Sequence, residues 1–119
     1  MKRIKLIVLL SFIVMCLFSC GNKAESLFEE ARNAYDAGDF ETAIEMCTDI
    51  IDNYDEEYAL AYELRGDAYV ELEEYSLATL DYDIAIYYGI SCETKKAEAF
   101  YALGDIDNAI SSYVAYLDY

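Results

Sequence analysis

Three stretches of this chain follow the same plan: a helix end, a tight turn, one large side chain, and an alanine three residues later. They are AYDAGDFETAIEMC from residue 34, AYVELEEYSLATLDY from residue 68 and FYALGDIDNAISSY from residue 100. The large residues are Phe40, Tyr75 and Ile106; the alanines, Ala43, Ala78 and Ala109, stand 35 and 31 residues apart. Self-similarity at such a period marks stacked supersecondary units rather than one irregular core. Apolar residues recur at helical spacing through Leu27, Ala31, Ala34 and Tyr35, through Ala61, Leu64, Ala68 and Leu72, and through Ala78, Tyr82 and Ala85. Proline is absent, and Gly38-Asp39 and Gly104-Asp105 each pair a glycine suited to end a helix with an aspartate suited to cap the next. Gly89 ends a further helix, with Ser91 expected to cap its successor. The expectation is an all-α chain of helices and short turns.

The second copy shows the pattern most fully, in Tyr62, Gly66, Tyr69, Tyr75, Ala78, Tyr82 and Ala85. The first carries Leu27, Ala31, Phe40, Ala43 and Ile44, with Cys47 and Ile50 where the second has an aromatic and an alanine. The third carries Ala97, Phe100, Gly104, Asp105, Ala109, Ile110 and Tyr113, with Glu93 and Tyr116 at core positions. Small residues let paired helices cross closely, and aromatics fill the space beside them. In this pattern the chain resembles the tetratricopeptide repeat, whose unit is two antiparallel helices, A and B. The resemblance implies a right-handed helical-hairpin solenoid of about three units over residues 24–57, 59–89 and 90–119, within a domain spanning 26–119. The shorter second interval implies a tighter junction around Gly89-Ile90. Solenoid ends normally carry a polar cap; with none after the third B helix, Val114 and Leu117 are expected to expose an apolar strip for end docking or a homodimer.

The N-terminus reads differently. Lys2, Arg3 and Lys5 precede an apolar run from Leu6 to Phe18 broken only by Ser11, then Ser19-Cys20-Gly21. A charged start, a short apolar stretch and a small residue before the cut describe a secretory signal peptide. A retained transmembrane helix is the alternative, but a span needs about 20 apolar residues and this run is shorter. Leu17-Phe18-Ser19-Cys20 resembles the bacterial lipobox, which implies cleavage after residue 19, acylation of Cys20 (palmitate or a similar chain), and a lipidated tether over 20–25. Two acyl chains anchor a protein stably where one does not. The resemblance places the domain in the cell envelope, on the outer membrane in a diderm, since Gly21 is not the aspartate associated with inner-membrane retention. The competing reading is an ordinary signal peptide whose cysteine is incidental.

After Cys20 stand 24 acidic side chains against five basic ones, a net of −19. Such a surface repels nucleic acid, whose binders need basic patches, and anionic lipid heads, and it attracts cationic partners. Histidine and tryptophan are absent, no nucleophile triad or phosphate loop can be built, and Asp105, Asp107 and Asn108 lack the glycine and distal glutamate of a calcium loop. No enzyme, metal or cofactor is expected. Cys47 and Cys92 could bridge in an exported protein or serve as small core residues; both readings stand at this point.

Surface recognition remains. The family resemblance implies that A helices line a concave groove, here with Glu25, Phe28, Arg32 and Tyr35, then Glu63, Asp67 and Glu71, then Thr94, Lys95, Glu98 and Tyr101. Most of these are acidic, so the groove is expected to take a polar or basic segment, with Phe28, Tyr35 and Tyr101 as apolar anchors. Rival readings are a solvated acidic face with no partner, and a structural subunit docked through its end. Arg65-Gly66-Asp67 spells an adhesion tripeptide, yet Gly66 falls at the small-residue crossing of the second A helix. Packing is the expected reason for it, with Asp67 alone left to touch a ligand.

Overall fold

The computed structural model describes the backbone of residues 2–118 and their side chains except those of residues 12 and 14–22. The expected lipidation at Cys20 therefore lies outside the described residues. Among the described residues there are six helices: α1 (Lys2–Asp36), α2 (Phe40–Asn53), α3 (Ala59–Glu71), α4 (Tyr75–Tyr87), α5 (Glu93–Ala102) and α6 (Ile106–Leu117). Each packs on the next, and α1 also touches α3. Three hairpins, α1–α2, α3–α4 and α5–α6, thus stack as a helical-hairpin solenoid. No helix among the described residues is long and apolar enough to cross a membrane.

The turns explain why the hairpins repeat. Gly38 and Gly104 close the first and third A helices in the left-handed region, at φ 78° and 77°. The N–H of each donates to the carbonyl three residues back, and that of the following aspartate to the carbonyl five back. Asp39 and Asp105 then accept from the backbone N–H of Thr42 and Asn108, each at 3.2 Å, and start the B helices. The middle turn makes the same bonds with Glu73 at φ 60°. A glutamate thus holds the conformation that glycine holds in the other two. Gly89, at φ 97°, closes α4 as expected, but Ser91 does not cap α5. Its hydroxyl donates to the Glu93 carboxylate at 2.9 Å, and Cys92 occupies the cap position without capping α5, its thiol donating instead to the Tyr82 carbonyl at 3.6 Å.

Two apolar clusters hold the stack. Ala24, Phe28, Ala31, Cys47, Ile50, Ala61 and Leu64 join the first hairpin to α3. Tyr62, Ala78, Tyr82, Ala85, Cys92 and Ala99 join the second hairpin to α5. Ala43, Ala78 and Ala109 are all buried, as the close crossing of paired helices requires. Ala24 packs in the first cluster, and α1 runs unbroken through 20–25, so the packed array begins inside the expected tether and before residue 26. Cys47 and Cys92 are buried free thiols in different clusters, not a disulfide. Burial pushes each thiol up to about 12.

The third B helix departs from the other two. Cys47 and Ile50 in α2, and Tyr82 and Ala85 in α4, are buried. Their counterparts Tyr113 and Tyr116 in α6 are exposed, together with Ile106, Ile110, Val114 and Leu117, the last at 76%.

Candidate functional site

Arg65-Gly66-Asp67 lies on α3 and is occupied internally at all three positions. The Arg65 guanidinium forks onto the Asp81 carboxylate through Nε and Nη2, both at 2.8 Å, and its Nη1 donates to the Thr48 hydroxyl at 3.0 Å. That pair is largely sealed, with Asp81 only 5% exposed. The Asp81 hydrogen bond is the main cause holding Arg65 above its usual range. At Gly66 an added Cβ would lie 2.8 Å from Cε1 of the Tyr82 ring. Asp67 accepts from the Tyr82 hydroxyl at 2.7 Å and from the Lys95 ammonium at 2.9 Å. An adhesion loop needs Arg and Asp splayed into solvent; here both face inward, and that reading is excluded.

Beyond Asp67 the three A helices and α4 line an open concavity of about 490 Å³. Its wall comprises Tyr35 of α1, Asp67, Val70 and Glu71 of α3, and Lys95, Glu98, Ala99 and Ala102 of α5. Tyr75 and Tyr82 of α4 complete it. Lys95 reaches across from the third hairpin to the second, donating to Glu63 at 2.8 Å as well as to Asp67. Burial works against its charge, but the bonds to Glu63 and Asp67 outweigh it and hold the ammonium above the usual lysine range. The Tyr82 phenol is pushed up by burial first and then by its bond to Asp67. Tyr35 is also raised, by burial and then by the charges of Asp67 and Glu71. Glu71 and Glu98 are exposed at the rim, and neither makes an ion pair among the described residues.

The cavity brings together five expected groove residues: Tyr35, Asp67, Glu71, Lys95 and Glu98. Phe28 is not an exposed anchor. It is 4% exposed, packed at 5.4 Å from the Tyr58 ring, because the first core cluster closes over it. Arg32 lies over the Phe28 ring at 5.0 Å and does not line the cavity, nor does the exposed Tyr101. Glu63 and Asp67 are not free acids awaiting a ligand, since Lys95 already occupies them. Sequence reasoning missed Val70, Tyr75, Tyr82, Ala99 and Ala102 as wall residues. Val70 was findable, for it stands five residues before Tyr75 as Tyr35, which also lines the cavity, stands before Phe40. The alanines carry no chemical signal and are revealed only by the gap they leave.

Two comparisons bear on the repeat. The family model described as tetratricopeptide repeat matches residues 25–56, which is the first hairpin although the second shows the fuller side-chain pattern. The human protein named tetratricopeptide repeat protein 12 is 28% identical over 90 residues, which cover 76% of this chain. This chain spans only 12% of the length of that relative.

Proposed function

We propose that the chain is a tetratricopeptide-repeat protein–protein interaction module whose concave cavity binds a polar or basic peptide segment, a reading that the match over residues 25–56 and the similarity to a tetratricopeptide repeat protein support. One observation supports this above others: two exposed carboxylates, Glu71 and Glu98, stand over a wall of Val70, Ala99, Ala102, Tyr35 and Tyr75. A lysine or arginine side chain has that same division, an apolar stem and a cationic head. The rest of the surface adds long-range attraction for a cation, through the net charge of −16 on the whole chain. The N-terminal pattern around Cys20 supports a lipid anchor on a bacterial envelope membrane, with the repeats exported.

The test is binding of a labelled (Lys-Ala)5 peptide to the full chain in a neutral detergent, at low and high salt. Glu71→Lys with Glu98→Lys should weaken binding by at least about tenfold, given the strength of close charge pairs at an interface, and flatten its salt dependence. Unchanged affinity would remove the groove from consideration.

A second reading rests on α6. Its exposed strip of Ile106, Ile110, Tyr113, Val114, Tyr116 and Leu117 carries little charge on an otherwise acidic molecule. Two copies, or this chain and an envelope assembly, would meet there with the least repulsion. Salt-resistant self-association lost in Leu117→Glu supports this reading; a strict monomer at high concentration argues against it.

A further inference from the structure

We propose that Lys95 is an internal latch: its ammonium occupies, in the free protein, the carboxylate pair that a ligand cation takes when it binds. The inference rests on the groove reading above and adds its regulation. Glu63 and Asp67 lie on one face of α3, one turn apart, and their oxygens meet Lys95 Nζ at 2.8 and 2.9 Å. That the pair accepts an alkylammonium is thus already shown by the one it holds. The lysine comes from α5, in the next hairpin, and its side chain is 40% exposed, against 22% for each carboxylate. It can therefore swing into water, where a lysine ammonium is well hydrated, more easily than the carboxylates can. Asp67 would keep its bond from the Tyr82 hydroxyl throughout, so the site stays shaped while the cation changes. An incoming lysine or arginine that displaces Lys95 gains Asp67 on the cavity wall beside Glu71 and Glu98, with Glu63 one turn back on α3, outside the lining, as the second carboxylate. In exchange, the contact between the second and third hairpins loosens.

Removing the latch should tighten binding, whereas removing a merely attractive or structural lysine should not. Lys95→Met keeps the aliphatic stem and frees the pair; Lys96→Met is the control. Lys96 pairs with Asp83, lies over the Phe100 ring and does not line the cavity, yet its loss changes net charge equally. With (Lys-Ala)5 as the probe at low salt, Lys95→Met should bind about threefold tighter or more, and Lys96→Met within about twofold of the parent. If Lys95→Met does not fold by circular dichroism, Lys95→Gln serves and should shift affinity in the same direction. Parent binding that Lys95→Met leaves equal or weaker overturns the latch alone. An equal gain in both variants also overturns it, because net charge then explains the gain. Absence of binding by the parent and every variant overturns the groove reading and the latch with it.

Discussion

At Gly66 one missing methyl group sets how close two helices lie. Glycine within a helix costs about 1 kcal/mol against alanine, so propensity alone predicts that Gly66→Ala stabilises. The Tyr82 ring reverses that sign. It is buried, tied through its hydroxyl to Asp67, and sits 2.8 Å from where the new Cβ would go. Overpacking a core of this kind costs about 1–3 kcal/mol. Gly66→Ala should therefore lower the thermal midpoint measured by circular dichroism; a raised midpoint would mean the ring yields freely. Glu73 presents the converse case, since its φ of 60° suits a glycine that the sequence does not supply.

At the scale of elements, α2, α3 and α4 are joined by one polar junction inside an apolar stack. Arg65 of α3 spans Thr48 of α2 and Asp81 of α4. A buried pair adds little over an apolar replacement, but removing one member strands the other charge away from water. Arg65→Ala should cost about 3 kcal/mol or more in urea denaturation, while Arg65→Met with Asp81→Leu should recover most of it. Equal losses in the single and double variants would show that the junction stabilises through its own attraction. This junction was poorly legible in the sequence. Arg65 and Asp81 are 16 residues apart, and nothing in their local pattern says that they face each other. The hairpin turns were far more legible, because Gly38, Gly104, Asp39 and Asp105 act through local backbone chemistry.

Across the whole molecule, buried thiols and phenols make stability fall in alkali. Cys47 and Cys92 ionise near 9 when unfolded but are pushed up to about 12 by burial, so the folded state favours their neutral forms. Their contribution is fully present below pH 9 and is lost as pH rises toward 12. Tyr82, raised by burial and by Asp67, acts in the same direction at higher pH. The thermal midpoint should stay level up to about pH 8.5 and then decline. In the Cys47→Ala, Cys92→Ala variant that decline should be shallower. A parent midpoint that holds steady to pH 11 would show that the thiols ionise without unfolding the chain, well below the value near 12.

The order of elements, the three hairpins and the small-residue crossings were set by the sequence alone. Period, helix propensity and turn chemistry act over a few residues and leave a local trace. Five groove residues were placed by the family resemblance, which carries the groove-facing positions of an A helix onto this chain. Tertiary structure alone decided which groove groups are free, and which way the arginine of the adhesion tripeptide faces. Phe28 is sealed by Tyr58, Glu63 and Asp67 are taken by Lys95, and Arg65 is turned inward by Asp81. In each case the partner lies 16 to 32 residues away or on another helix, and pairing over that distance is settled by how the hairpins stack.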